Sequence, residues 1–483
     1  MAELARLASR CILPGFEGPV APDWVRRQLD EGLGGVVLYA WNVESPEQIR
    51  ELTSELRSVR EDVVVAMDEE AGDVTRLEAL TGSSYPGNAA LGVVDDVALS
   101  ERVAASLGAE LAAAGVNLDF APVADVNTNP RNPVIGIRSF GSDSDLVGRH
   151  VAAFVHGLQS AGVAACAKHF PGHGDTSVDS HLALPVVEAL DPAALTPFRA
   201  AIDAGVRSVM TAHIVVRSLG EVPATMSREI LQDILCDELG FEGMVITDAL
   251  EMKAISDTVG VEEGAVRSIA AGADALCLGH DLFDESVVAV RDALVEAVRS
   301  GRLPEERLAE AAGRVAAVTE VGGVGAVDRE SGREAARRAL RVDGDAHIDG
   351  PALIVELVPE AGMAAGRLPE LPGDWFAAVA RGSEVRRYQD LPGSALDPEG
   401  RPLVVIARDA HRYEWEQRTI EALTARQPGA IVIEIGLPHW RPARAGAFVS
   451  TYGAARVNLE AAAEALYSGS RRGVEQSGSS PGS

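Results

Sequence analysis

Residues 63–70 read Val-Val-Val-Ala-Met-Asp-Glu-Glu, an apolar, β-branched run that stops abruptly in three carboxylates. A run of that length and composition is a buried strand. The charges at its end mark a place where the chain meets water or a ligand, because an unpaired charge is costly to bury. The form recurs along the chain. Apolar runs at 11–16, 35–40, 117–123, 164–170, 208–213, 243–248 and 273–278 alternate with stretches of helical period such as 47–60, 97–114, 144–161 and 284–300. Eight strands alternating with helices over about 300 residues is the arithmetic of a (β/α)8 TIM-type barrel. A doubly wound open sheet alternates similarly, but it gathers its polar groups at one switch point. Here Asp68-Glu69-Glu70, Asp125, Lys168-His169, His213, Asp248 and His280-Asp281 each follow a different run. Chemistry spread over most strand ends is the barrel's pattern. No G-x-G-x-x-G follows the first strand, so the nucleotide fingerprint is missing.

Working outward, the barrel is expected over 1–322, its last helix at 304–319. The Gly-rich stretch 323–335 reads as a linker. A smaller α/β domain follows over 336–470, with strands at 352–358, 402–407 and 430–435 and helices at 414–425 and 457–467. The polar tail 471–483 has no periodicity and reads as disordered. A chain of 483 residues, 47% hydrophobic, has core enough for these two domains. Its formal net charge of −29 argues against nucleic acid or an anionic membrane as partner, since phosphate binding needs clustered Lys and Arg. A neutral or small substrate fits. Cys11, Cys166, Cys236 and Cys277 form no C-x-x-C pair and sit in apolar stretches, as reduced, buried thiols do. No run approaches the ~20 residues of a membrane span. The N-terminal segment has only a short apolar run and no A-x-A site, so a cytoplasmic protein without a signal peptide is expected.

The densest chemistry lies in AKHFPGHGDTSVDSHLALP, residues 167–185, with three His, two Asp and a Lys in a loop punctuated by Gly172 and Gly174. Two readings stand open. His and Asp are metal ligands. Alternatively Asp179 and His181, two residues apart, form a proton-transfer pair in which the carboxylate fixes the imidazole tautomer. Asp248 ends the apolar run of MVITDALEM, as a functional carboxylate or as a helix N-cap. Asp68 sits where burial would demand a partner. Arg138, in IGIRSFGSD, is a site residue or a solvated arginine. His213, apolar on both sides, suits the core nearly as well as a site. His150, His156, His347, His411 and His439 read as structural, and His280 is little stronger.

KHFPGHGDTSVDSHLALP at 168–185 and PATMSREILQDILCDELGFEGMVITDALEM at 223–252 resemble the signature of glycoside hydrolase family 3. FAPVADVN, IGIRSFGSD and MTAHI match in the same order, and the resemblance spans about residues 10–320. It is nearest to β-N-acetylglucosaminidases of the bacterial cell-wall recycling type. The resemblance implies a retaining mechanism with Asp248 as nucleophile. It also implies His181, oriented by Asp179, as the acid and then the base, a task that suits a neutral-range pKa. Asp68, Arg76, Arg138, Lys168 and His169 would hold the hydroxyls of the cleaved sugar. No cofactor and no metal are implied. Where relatives carry D-Q-E-G-G-x-V-x-R, this chain reads Asp68-Glu69-Glu70-Ala71-Gly72-Asp73-Val74-Thr75-Arg76, so Glu69 and Ala71 alter the fine shape of the pocket.

The resemblance thus implies release of terminal, non-reducing N-acetylglucosamine from muropeptide or chitin fragments. A β-glucosidase of the same family is one alternative. A phosphorylase is another: an ionised carboxylate base repels inorganic phosphate and a neutral imidazole does not. A metal-dependent barrel hydrolase usually carries H-x-H after the first strand, where this chain reads PGFEGP. A non-catalytic sugar-binding protein has no use for both Asp248 and the Asp179–His181 pair.

Overall fold

The computed structural model describes residues 2–176, 184–279, 283–359, 372–389, 396, 398 and 400–467. All eight expected runs end up as parallel strands of a curled sheet: β1 (Ile12–Pro14), β2 (Gly35–Leu38), β3 (Val64–Met67), β4 (Leu118–Asp119), β5 (Ala164–Phe170), β6 (Ser208–Thr211), β7 (Met244–Ile246) and β8 (Leu276–Leu278). The ladder runs unbroken from β2 through β7 in chain order. β8 joins β7 through the single bridge Ile246–Ala275 and pairs with β1. Between β1 and β2 the backbones approach closely without a ladder among the described residues. Gly34 permits this: a Cβ there would fall 2.0 Å from the Arg10 carbonyl oxygen.

The helices start and stop where their sequences say they should. Ser45, Asp96 and Asp143 cap the helices Pro46–Val59, Val97–Ala114 and Ser144–Ser160 by accepting from Gln48, Leu99 and Leu146 amides. Gly115 ends the second of these in the left-handed region at φ 80°. Side chains such as Val37, Val64, Phe120, Cys166, Met210 and Ile246 point inward and fill the barrel. Val315 and Val318, from and just after the helix Glu305–Ala317, join that cluster. The far larger apolar cluster lies between strands and helices. A solid interior leaves only the loops after the strands to form a site.

Beyond the barrel stands a second six-stranded sheet: β9 (Arg341–Gly344), β10 (Leu353–Leu357), β11 (Glu384–Tyr388), β12 (Leu403–Ala407), β13 (Ile431–Glu434) and β14 (Ala447–Ser450). Its order is β9-β14-β13-β12-β10-β11, parallel except for β9. Apolar clusters cover both faces, as an inner parallel sheet requires. β9, β11 and β14 were not expected from sequence. The stretch read as a linker, 323–335, holds the start of the helix Arg329–Ala339, which Asp328 caps by accepting from the Ser331 amide. The tail 471–483 lies outside the described residues. This sheet meets the barrel at the site end. Arg408 lies 2.8 Å from Asp73, Ala454 N donates to Asp73 at 2.9 Å, and His411 Nε2 donates to the Pro130 carbonyl at 2.6 Å.

Candidate active site

Four of the sequence-predicted sugar-binding residues converge on one buried array. Lys168, on β5, is 1% exposed, and its Nζ lies 2.6 Å from both Asp68 Oδ1 and Glu70 Oε1. Arg138, from the turn after β4, grips Glu70 with two hydrogen bonds, Nε at 2.9 Å and Nη2 at 2.7 Å. Arg76 places Nη2 3.7 Å from Asp68 Oδ2. Burial alone would raise the Glu70 acid, but the charges of Arg138 and Lys168 hold it far below the usual carboxylate range. Burial likewise opposes the Lys168 charge, yet Asp68 and Glu70 leave its ammonium pushed up to about 12. Three cations therefore face the carboxylates of Asp68 and Glu70, and these ion pairs fix the side chains in direction. Such groups make strong, oriented hydrogen bonds to hydroxyls.

His169, beside Lys168, turns to a different partner. Its Nδ1 donates to Asp125 Oδ2 at 2.7 Å, and Asp125 Oδ1 accepts from the His173 amide at 2.6 Å. That bond fixes the ring's tautomer and leaves Nε2 for other contacts. His173 is buried, with Nδ1 2.7 Å from Thr176 Oγ1, and burial pushes its pKa down to about 4. It is neutral at ordinary pH. Gly174 is needed where it stands, because a Cβ would meet the Val126 carbonyl at 1.8 Å.

Asp248 follows β7, half-buried, with Oδ1 accepting from the Ala249 amide at 2.8 Å. Asp68 follows β3 and Asp248 follows β7, so both carboxylates stand at the same strand-end mouth of the barrel. His213 resolves as a buried group that supports this corner. Its Nε2 donates to the Ala249 carbonyl at 3.0 Å, and its Nδ1 lies 2.7 Å from Thr225 Oγ1. Glu251 accepts from the Gly279 amide at 2.8 Å, and a Cβ at Gly279 would overlap it at 1.2 Å. Asp179 and His181 lie outside the described residues, as does His280.

Sequence reasoning missed Glu70, Asp125 and Glu251 as site residues. Asp125 and Glu70 carried a usable signal, since each lies in the segment that follows a barrel strand. Glu69 is buried, and burial pushes its acid up to about 7. The Glu69 amide donates to Asp119 at 2.9 Å, and burial raises the Asp119 acid well above its ordinary range. Glu69 thus lies beneath the array, where its side chain accepts from the Arg76 and Leu77 amides. Among the described residues, no three His, Cys, Asp or Glu side chains converge in a way that could hold a metal ion. No described helix is long and apolar enough to cross a membrane.

Residues 20–318 match the glycosyl hydrolase family 3 N-terminal domain. A beta-hexosaminidase A of Pseudoalteromonas piscicida is 35% identical over 319 residues, covering 59% of this chain and 52% of that protein. The chain thus spans about half the length of that relative. A beta-hexosaminidase of Neisseria meningitidis is 37% identical over 275 residues, 54% of this chain and 75% of that one. A solved family 3 beta-N-acetylglucosaminidase from a Paenibacillus species superposes with a TM-score of 0.83 at 32% identity, covering 96% of both chains. With the family domain matched over more than half its length, and the barrel and its strand-end chemistry in place, the chain belongs to glycosyl hydrolase family 3.

Proposed function

We propose that this chain is a retaining β-N-acetylglucosaminidase that releases terminal, non-reducing N-acetylglucosamine. The observation that carries the reading is the charged array of Asp68, Glu70, Arg76, Arg138 and Lys168 at the same strand-end mouth as Asp248. The array binds the hydroxyls of the cleaved sugar and orients its ring. Asp248 attacks the anomeric carbon and forms a glycosyl-enzyme, while His181, held by Asp179, gives a proton to the departing oxygen. The same imidazole, now neutral, takes a proton from the water that attacks the glycosyl-enzyme. The free sugar and ionised Asp248 are restored. Likeness to proteins named beta-hexosaminidase supports N-acetylglucosamine as the sugar. Cell-wall muropeptide or chitin fragments in the cytoplasm are the substrates we propose.

The test is turnover of an aryl N-acetyl-β-glucosaminide against the matching aryl β-glucoside. Preference for the first supports the reading, and preference for the second moves the chain to a β-glucosidase. Running the assay in inorganic phosphate adds a second readout: sugar 1-phosphate in place of free sugar would assign phosphorolysis.

A further inference from the structure

We propose that Arg408, in the second domain, is a positioning residue for the sugar-binding array on the barrel, an inference that rests on the glycosidase reading above. Asp68, Glu70 and Arg76 belong to one short segment that folds back on itself after β3. Ala71 bridges Val74 across the fold, and the Glu70 amide donates to the Val74 carbonyl at 3.0 Å. At the tip Ala71 stands at φ 66° and Gly72 at φ 64°. An alanine keeps that left-handed conformation only where the surroundings enforce it. Two sets of contacts do so. Within the barrel, the Gly72 amide donates to the Tyr85 carbonyl at 3.0 Å, and a Cβ on Gly72 would fall 2.5 Å from the Gly87 Cα. From the second domain comes the grip on the next residue, Asp73. Its Oδ1 accepts from the Ala454 amide at 2.9 Å, and its Oδ2 lies 2.8 Å from Arg408 Nη2.

Arg408 itself starts from a rigid base. It follows β12 directly, and the next two amides, of Asp409 and Ala410, donate to the buried Glu434 carboxylate on β13 at 2.7 and 3.1 Å. The Asp409 carboxylate in turn accepts from the Leu437 amide at 2.8 Å. The Arg408 and Asp73 side chains are only 21% and 8% exposed, so salt screens their attraction weakly. Asp73 stands three residues after Glu70 and three before Arg76, so a shift of Asp73 is passed to both. Glu70 has little room for a shift, being bound to Arg138 at 2.7 Å and to Lys168 at 2.6 Å. The second domain thereby gains a task in the reaction. Through Asp73 it fixes the segment on which Asp68, Glu70 and Arg76 stand, while Arg408 acts on the array and not on the sugar.

The experiment measures KM for an aryl N-acetyl-β-glucosaminide and the inhibition constant of free N-acetylglucosamine. It uses the full chain as wild type, Arg408→Ala, Arg408→Lys, Asp73→Asn and the double variant Asp73→Asn with Arg408→Ala, well below every melting midpoint. Arg408→Ala should weaken both constants about ten-fold, short of the ~100-fold of an ångström's misplacement because the Ala454 amide still holds Asp73. Arg408→Lys should restore part of the loss. Asp73→Asn, which keeps the volume and an acceptor oxygen, should shift both constants in the same direction. The double variant should be no worse than the worse single one, since both break one contact. An inhibition constant unchanged in Arg408→Ala, whatever its melting midpoint, would make the pair merely structural. Losses that multiply in the double variant would uncouple Arg408 from Asp73. Either result overturns the proposal. If Arg408→Ala fails to fold, Asp73→Asn and Arg408→Lys read the same constants. A wild type that neither cleaves the aryl substrate nor binds the free sugar would overturn the glycosidase reading itself, and this inference with it.

Discussion

Glu70→Gln tests whether the charged array is as tightly coupled as its distances imply. The Glu70 side chain is 2% exposed and touches Arg138 twice and Lys168 once. The variant keeps the volume and one acceptor oxygen. It removes one of two carboxylates that face three cations, and it turns an NH2 group towards neighbours that can only donate. Unpairing a buried charge in this way costs roughly 3–5 kcal/mol. For a domain of this size each kcal/mol is worth roughly 2 °C, so the barrel's melting midpoint should fall by roughly 6–10 °C at neutral pH. The folded pKa of Glu70 lies below its ordinary 4.5, so its contribution is complete above 4.5 and fades only as pH falls well below it. Wild type and variant should therefore stay apart down to about pH 4.5 and converge only in stronger acid. With Arg138 and Lys168 loosened, kcat/KM on an aryl N-acetylglucosaminide should fall about 100-fold, the usual penalty for misplacement by an ångström. Calorimetry across pH, with kinetics at neutral pH, reads both. A midpoint within about 2 °C of wild type and unchanged kinetics would refute the coupling.

Three further outcomes follow from the site. His181→Ala should slow natural substrates with basic leaving groups far more than activated aryl glycosides, with Asp179→Asn a milder copy; equal losses would remove His181 as proton donor. Burial raises the Glu69 acid to about 7 against hydrogen bonds from Thr75, Leu77 and Arg76, so the folded chain binds the extra proton and stability declines as pH rises from 4.5 through about 7. Glu69→Gln should flatten that decline when melting is compared at about pH 5 and pH 8, and an unchanged slope would contradict it. Dialysis against a chelator should leave turnover unchanged, because neither a nucleophilic carboxylate nor a proton shuttle needs a Lewis acid; activity that fell and returned with zinc or manganese would break the mechanism.

The barrel was legible because its strands are short apolar runs and most of them are followed by polar or charged residues, a contrast that survives without coordinates. The edge strands of the second sheet offered none. β9 carries Arg341 and Asp343 and is exposed, and β11 carries Glu384, Arg386 and Arg387. Neither has a fully buried face to impose an apolar pattern. The helix Arg329–Ala339 hid for a related reason: its buried stripe is Ser331, Gly332, Ala335, Ala336 and Ala339, too small to register as apolar period. Of the residues named for the candidate site, Asp68, Arg76, Arg138 and Lys168 lie together in one charged array. Glu70 was not singled out in sequence, where three carboxylates in a row look alike, and only packing shows it pinned between two cations. His213 was undecidable in sequence, since the fact that assigns it is a bond to the Ala249 carbonyl 36 residues away.

The central claim is that Asp248 forms a covalent bond to the sugar. The direct measurement is mass spectrometry of the protein after reaction with a 5-fluoro-N-acetylglucosaminyl fluoride, which forms the glycosyl-enzyme faster than water can remove it. The account predicts one added sugar mass per chain, located on the peptide that contains Asp248 and absent from Asp248→Ala. A label on another carboxylate, or no label together with an inverted anomer released from the ordinary substrate, would contradict it.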